Sequence, residues 1–562
     1  MTPSSEALTS LLRRFGHDEF RPGQRRVIDN LLQGRDVLAV LPTGSGKSLT
    51  YQLVAQLLPG ATVVVSPLIA LMQDQIESLE AVAMPAELVN STRSASEQHV
   101  ALERLRRGDA KLLYVTPERF ENAAFMRAMA RVPVSLLAVD EAHSISEWGH
   151  DFRPAYLNLG AAAAQLGHPP ILALTATATP WVRGEIIERL GLRDPVLVVH
   201  GTDRPNLFFE VLRVEREGED RDILRRMFGE VAQDYPKPCR AELVEAMQGS
   251  GIIYTRTTAA AEETAAWLNQ WGIASDYYHG QRCNGERAEV QDRFMRGELR
   301  VICATNAFGL GVDKPDVRFV VHRDVPASVE SYYQESGRAG RDGGFARCTL
   351  IYRPGDLSRA AFLAAGSHIT EEKVRALRDA LRGHRGIGLP RLERESGLND
   401  RVLGDLVAAL EHAGVLRERN GRIALARADI DVAGVTEQIE QRRESYEQSR
   451  VEMMRRYAEL ADCRRVYLLN YFGEEPGFER CDRCDNELLQ GADAWIQVRE
   501  EEAVAVPFTL GDRVIHPEWG AGVVQRVEED ALTVLFDEAG FKSLSSQLVL
   551  ENYLLRLADW TA

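Results

Sequence analysis

Cysteine, lysine and long apolar runs are what this chain has least of. Seven cysteines among 562 residues cannot make the dense disulfide framework on which small exported domains rely. No apolar run approaches the roughly 20 residues a helix needs to cross a bilayer. The opening MTPSSEAL lacks the basic-then-apolar pattern of a secretory signal. The expected setting is therefore the reducing cytoplasm, with no membrane involvement. Lysine is the other shortage: of 67 basic residues, 6 are lysine and 61 arginine. The 83 acidic residues leave a formal charge of −16. That speaks against binding polyanions over the whole surface, because net charge sets the far field a nucleic acid meets first. Arginine's planar fork suits phosphates and base edges, although coding bias accounts for the arginines equally well. Any nucleic acid must then bind to local basic surface on an acidic body. Repeats and low-complexity tracts are missing too. With 45% apolar and 27% charged residues the composition is that of a folded globular protein. At about 150 residues per domain the length suggests three to five domains.

Between Asp36 and Thr177 short apolar runs alternate with longer helix-like segments. The runs are DVLAVLP (36–42), ATVVVSP (61–67), LLYVTP (112–117), SLLAVDEAH (135–143) and ILALTAT (171–177). Such runs read as strands buried on both faces, and the spacers are long enough for crossover helices. The pattern predicts a parallel α/β sheet. A second set, GIIYTR (251–256), VICATN (301–306), VRFVVH (317–322) and CTLIYR (348–353), predicts another, with the polar stretch 213–248 as a surface excursion around that sheet's opening helices. After Pro354 the style changes. Helices over 371–382, over 390–395 and from an Asn399 or Asp400 cap to His412 precede a hairpin about the Asn-Gly turn of VLRERNGRIAL (415–425), which predicts a winged helix. A charged stretch over 434–457 predicts one long helix leading into a cysteine cluster. Residues 488–506 read as an acidic linker, and short strands with Gly-rich turns from Phe508 to Leu544 predict a small β-barrel.

TGSGKS (43–48) lies between an apolar strand and a helix-forming stretch, the context of a phosphate-binding loop. There Thr43, Gly44, Ser45 and Gly46 turn backbone N–H groups into one concavity at a helix N-terminus. Lys47 reaches the outer phosphates of a nucleotide, and the Ser48 hydroxyl takes a magnesium ion. The strict pattern has glycine where this chain has Leu41. Asp140 and Glu141 end the run SLLAVD, and carboxylates at the C-terminal edge of a parallel strand face the ligand crevice. Asp140 suits the magnesium shell and Glu141 the deprotonation of an attacking water; two acids capping the next helix are the plainer alternative. QESGRAGR (334–341) carries Arg338 and Arg341 three apart, on one face if helical. They suit charge neutralisation at a γ-phosphate, or else form a solvated basic face.

In this order the segments resemble the RecQ family of superfamily-two helicases over about residues 8–356. FGHDEFRPGQ (15–24) is similar to the family's adenine-reading motif, which implies Arg21 and Gln24 at the nucleotide; an amide can read adenine's edge bidentately. SPLIALMQDQ (66–75) and TAT (175–177) are similar to further motifs, and ATNAFGLGVDKPDVRFVVH (304–322) implies Gly311 and Asp313 as nucleotide-coupling residues. Arg338 and Arg341 fall at the arginine-finger positions. AHSISEWGHDFRPAY (142–156) resembles the aromatic-rich loop that couples DNA binding to ATP hydrolysis. Trp148 and Phe152 would stack on unpaired bases and Arg153 would meet backbone or base. Core aromatics are the plainer alternative, but the polar flanks suit a core poorly. Cys463-x17-Cys481-x2-Cys484 resembles the family's zinc module. A structural zinc wants four ligands, and Glu487 stands where the family has the fourth cysteine. Glu487, Asp482 or Asp485 would complete the site through oxygen, or the module holds by packing without metal.

The resemblance implies an α/β protein of two tandem RecA-like domains, 1–205 (ATP-binding) and 206–356. A winged-helix-like domain follows at 357–430, then a helical hairpin with a zinc-binding module at 431–490, a linker at 491–506 and a small barrel at 507–562. The winged helix precedes the cysteine cluster here, whereas it usually follows. The tail resembles the Tudor-like tail of UvrD-type helicases, with Trp519, Phe536 and Phe541 as either interaction surface or barrel core. The implied cofactors are ATP, Mg2+ and Zn2+. The implied partners are single-stranded and duplex DNA, with a protein partner at the barrel, in a cytoplasmic, nucleoid-associated setting. The implied activity is 3′-to-5′ translocation and unwinding in recombination and repair. A DNA-stimulated translocase, remodeller or strand-annealing factor with weak unwinding is the alternative, and a catalytically idle scaffold a third reading.

Overall fold

The computed structural model describes residues 5–42, 44–67, 69–90, 93–146, 152–201, 203–216, 218–229, 237–309, 314–355, 369–384, 386–419, 422–426, 431–478, 480–489, 508, 512–517, 519–527, 531–536, 540–545, 549 and 554–557. Thr43, Trp148, Gly311, Asp313 and the linker 491–506 lie outside the described residues.

The apolar runs of the first third become β1 (Val37–Val40), β2 (Ala61–Val65), β4 (Leu112–Val115), β5 (Val134–Val139) and β6 (Ile171–Thr175). Two further strands, β3 (Ala86–Val89) and β7 (Val196–Val199), close the edges of one parallel sheet in the order β3-β4-β2-β5-β6-β1-β7. Alternation along each strand feeds two cores. Leu38 and Val40 of β1 join Val63 and Val65 of β2 on one face, while Val37, Ala39 and Val64 pack on the other. Burial on both faces is why these strands read as unbroken apolar runs.

The second parallel sheet comprises β8 (Leu207–Arg213), β9 (Ser250–Tyr254), β10 (Ser275–Tyr278), β11 (Val301–Ala304), β12 (Val317–His322) and β13 (Ala346–Tyr352), ordered β10-β11-β9-β12-β13-β8. The stretch 213–248 holds helices as expected, but it is packed and not a surface excursion. It holds two helices, Glu219–Gly229 and Lys237–Gln248, and buries Ile223, Leu224, Leu243 and Met247. It is crossover packing, masked by its charged outer face.

After the second sheet come helices Glu371–Leu381, Leu389–Ser396 and Asp400–His412 and the antiparallel pair β14 (Leu416–Arg419) and β15 (Arg422–Leu425). Asn399 caps the third helix by accepting from the Val402 N–H. The helix Val432–Glu459 follows, then Arg464–Tyr471 and Asp485–Leu489. The tail is a five-stranded antiparallel sheet of β16 (Arg513–His516), β17 (Gly520–Val527), β18 (Ala531–Phe536), β19 (Gly540–Ser545) and β20 (Arg556–Leu557), ordered β19-β18-β17-β16-β20. Phe536 is buried in its core with Trp519 packed beside it, and Trp519 stacks on His516 with ring centroids 4.1 Å apart. By contacts the chain divides into two compact units. Residues 1–201 group with 366–444, and 202–365 with 445–562. Among the described residues no helix is long and apolar enough to cross a membrane.

Candidate nucleotide site and metal centre

The loop after β1 leads into the helix Lys47–Leu57, whose N-cap Gly46 has φ +73. This left-handed conformation favours glycine. A Cβ at Gly46 would also lie 2.7 Å from Gln24 Nε2. Gln24 itself is 2% exposed. Its amide donates to the carbonyls of Ser45 (2.8 Å) and Gly46 (3.0 Å) and accepts from the Arg21 N–H at 2.9 Å. The Arg21 guanidinium donates to the Gly44 carbonyl. The two residues that the sequence singled out for the nucleotide thus also hold the phosphate loop, through the Gln24 amide and the Arg21 guanidinium. Lys47 Nζ donates to the Leu41 carbonyl at 3.3 Å, so the residue that departs from the strict pattern still supplies the lysine's tether through its backbone. Ser48 lies in the helix's first turn. The Ser45 hydroxyl oxygen is buried with no hydrogen-bond partner among the described residues, a group placed to meet a phosphate oxygen.

Asp140 follows β5 and is buried. Burial pushes its carboxyl up to about 7, the Glu141 charge adds to this, and Lys47 opposes it. A divalent cation would relieve the same charge. Glu141 has φ +48, unusual for a residue with a side chain and characteristic of functional sites. His143 accompanies them in the next 3-10 turn, 3.4 Å from the Glu141 carboxylate and 2.9 Å from the Thr175 hydroxyl. Burial, together with Lys47 and Arg153, pushes the His143 imidazole down to about 3, so it stays neutral. The Tyr156 hydroxyl donates to the Asp140 carbonyl at 2.9 Å. Sequence reasoning assigned no role to His143, Thr175 or Tyr156, although each lies in a segment it singled out.

Of the candidate DNA loop, Phe152 is half-buried. The Arg153 guanidinium donates to the Pro67 carbonyl at 3.2 Å, and its backbone N–H to Ser144 O at 2.9 Å. This pins the loop's return next to the acidic motif.

In the second unit the helix Val329–Ser336 ends before the arginines, with Gly337 as its C-cap. Arg338 and Arg341 therefore occupy the following turn, not a helix face, which corrects the expectation from their spacing. Arg338 is buried and donates to the Gly309 carbonyl; Arg341 is half-buried. Two residues that the sequence did not reveal hold this turn. Arg204 donates to the carbonyls of Gly337 (3.3 Å), Ala339 (2.9 Å) and Gly340 (2.9 Å), and Asn206 donates to Gly340 and Gly344, each at 2.8 Å.

Cys463, Cys481 and Cys484 are buried, and their sulfurs lie within 4.8 Å of one another. The Val466 N–H donates to Cys463 Sγ at 3.5 Å and the Arg483 N–H to Cys481 Sγ at 3.3 Å. Hydrogen bonding with the two neighbouring sulfurs pulls the Cys484 thiol below its ordinary range. Three converging sulfurs with backbone donors fit a structural zinc, which takes thiolate ligands. Glu487 is outside this group. Its carboxylate accepts from the backbone N–H groups of Cys481 and Asp482, each at 2.9 Å, so it shapes the turn instead of facing the sulfurs. Asp485 is likewise engaged, by Arg464 at 2.6 Å and by the Val211 N–H at 2.9 Å. The cysteine turn pairs with the second sheet's edge: Phe209 of β8 donates to Arg483 O at 3.0 Å and bridges Cys484.

A phosphate loop and a strand-end Asp-Glu pair on one parallel sheet, with an arginine turn on a second, define a helicase core of two RecA-like domains. The chain matches the DEAD/DEAH box helicase family over residues 21–183, the helicase conserved C-terminal domain over 237–343 and the RecQ zinc-binding domain over 429–488. It is 40% identical over 367 residues to a probable ATP-dependent DNA helicase RecS of Bacillus subtilis, covering 65% of this chain and 70% of that protein. It is also 40% identical over 374 residues to the ATP-dependent DNA helicase RecQ of the same organism, covering 66% and 60%. Against that second relative the chain thus spans under two thirds of its length. A crystal structure of the DUF1998 helicase MrfA bound to DNA and AMPPNP matches with a TM-score of 0.52 at 18% identity, over 76% of this chain and 62% of that one, a likeness of fold alone. The chain belongs to the RecQ family of ATP-dependent DNA helicases.

Proposed function

We propose that this chain hydrolyses ATP to translocate 3′ to 5′ along single-stranded DNA and to unwind duplex DNA in recombination and repair. The observation that carries the reading is the first unit's constellation. Lys47 of the phosphate loop acts electrostatically on the buried Asp140, and Tyr156, from the DNA-loop segment, grips the Asp140 backbone. Nucleotide phosphates would meet the loop's N–H groups, Lys47 and Ser45. Asp140 and Ser48 would hold magnesium, which supplies charge neutralisation at the phosphates. Glu141 would take the proton of the attacking water, and Arg338 and Arg341 would neutralise charge at the γ-phosphate. Trp148, Phe152 and Arg153 would carry unpaired DNA, with Gly311 and Asp313 passing the nucleotide state onward.

The segment 357–430 is read as a winged helix. In support, Ile387 bridges Ile423 of β15, which adds a third short extended segment between the first two helices. The tail 507–562 is read as a small barrel with a protein partner. The domain limits 1–205, 206–356, 431–490 and 491–506 and a nucleoid setting belong to the same reading. The test is ATP turnover with and without single-stranded DNA, together with strand displacement on 3′-tailed, 5′-tailed and forked duplexes. Lys47→Ala should abolish turnover, and displacement should need a 3′ tail. DNA-stimulated turnover without displacement would favour the translocase alternative, and turnover surviving in Lys47→Ala would remove the reading altogether.

A further inference from the structure

The three-helix module preceding the cysteine cluster packs within the first unit, and its third helix meets the first sheet domain. Helix Asp400–His412 lies against the 3-10 turn Pro154–Asn158. The approach is close at Gly404, where a Cβ would lie 2.1 Å from Pro154 Cγ and 2.4 Å from its Cβ. A glycine in mid-helix is otherwise unfavourable, so the close approach is a reason for it to stand there. At the far end of the same helix Glu411 pairs with Arg189 at 3.4 Å, with side chains 26% and 24% exposed. The helix is thus fastened at two points to the first sheet domain.

What it presses on is the return of the candidate DNA loop. Immediately before Pro154, the Arg153 N–H donates to Ser144 O at 2.9 Å, so the loop's two ends meet there. Two residues after it, Tyr156 is fully buried and donates to the Asp140 carbonyl at 2.9 Å. Pro154 therefore sits between the stem of the loop and the residue that grips the acidic motif. Coupling needs a contiguous packed path of this kind, and here it is two contacts long.

We propose that the three-helix module is a brace for the DNA-coupling loop. Seated through Gly404 and Glu411, it positions Pro154 and Tyr156 so that the loop's response to DNA reaches Asp140. Gly404, Pro154 and Tyr156 act as positioning residues, and the proposal rests on the reading of 142–156 and Asp140 given above.

The test uses the full chain and measures ATP turnover with and without oligothymidylate. Gly404→Ala forces a methyl onto Pro154. It should cut DNA-stimulated kcat by about fivefold or more while leaving the KM for ATP and DNA-free turnover within about twofold. Glu411→Arg should lower the stimulation less, and Arg189→Glu in that background should recover it, as an interacting pair does. Equal loss with and without DNA, or native stimulation in Gly404→Ala, would overturn the proposal. Should Gly404→Ala fail to fold, Glu411→Arg decides, and native stimulation in that variant overturns it. A native chain whose turnover ignores DNA would instead defeat the functional reading, and Lys47→Ala separates that case.

Discussion

Asp140→Asn should stabilise the nucleotide-free protein while destroying its ATPase. Asp140 is buried beside Glu141, and its carboxyl is pushed from an ordinary 3.8 to about 7. Burial is the first cause, repulsion by Glu141 the second, and Lys47 offsets only part. Holding that group ionised costs the folded chain on the order of 4 kcal/mol. Because the folded value is raised, the stability associated with its protonated form is complete below about pH 4. It is lost as the pH rises through about 7. The native protein in EDTA should therefore melt progressively lower from pH 5 to about pH 7 and level off above that. Asparagine keeps the shape without the charge and should remove this slope. Part of the gain is returned in the asparagine amide's own desolvation, so a net advantage of about 1–3 kcal/mol at pH 8 is expected. For units of this size that corresponds to a melting shift of a few degrees. The assay is thermal melting of both proteins in EDTA from pH 5 to pH 8, repeated with magnesium and ADP. The ligands should restore the native protein and leave the variant behind. An asparagine variant that melts below the native protein at pH 8 in EDTA would refute the electrostatic account, as would a difference independent of pH.

Gly46→Ala should weaken ADP binding by about tenfold or more by calorimetry. A side chain in the left-handed region costs about 1–2 kcal/mol, and the new methyl displaces Gln24 from the loop it holds. Arg204→Ala removes three ties to the arginine turn. It should lower kcat at saturating DNA by about tenfold while the KM for ATP stays within about threefold, since the turn acts only as hydrolysis proceeds; a rise in KM alone would count against this. Cys484→Ser should drop bound zinc from about one per chain to near none by elemental analysis, because three thiolates are the converging donors. Glu487→Gln should leave the zinc content unchanged and lower melting by about 1–2 kcal/mol through weakened bonds to the Cys481 and Asp482 N–H groups. Zinc lost in Glu487→Gln would show that the carboxylate is a ligand after all.

Legibility in the sequence followed burial. The central strands β1, β2, β4, β5 and β6 announce themselves because both their faces are covered. In the two parallel sheets the four strands that sequence reasoning passed over are all edges: β3 and β7 in the first sheet, β8 and β10 in the second. Half-exposed edges carry polar residues, as in SDYY of β10, and so lose the apolar signal. β8 lost it differently. Glu210 interrupts its run yet is buried, paired with Arg347 at 2.5 Å and tied to Thr349, and β8's open side is closed by the cysteine turn.

The candidate-site motifs were easy to single out for a related reason. Phosphate loop, acidic pair and arginines are each contiguous in sequence and chemically distinctive, so spacing alone gathers them. Their supports are neither. Arg204 lies more than 130 residues from the turn it clamps, and Gly404 about 250 from Pro154. Glu487 stood at the right spacing for a ligand, yet its carboxylate is held by backbone donors, because side-chain direction is decided by tertiary packing that no local pattern carries. The same asymmetry bears on the relocated module. A segment whose order along the chain differs from that of its relatives has lost whatever its usual position would imply, and only its contacts remain to assign it work. Here those contacts fall on Arg189 and on a proline one residue beyond Arg153 and two before the tyrosine that holds the Asp140 backbone.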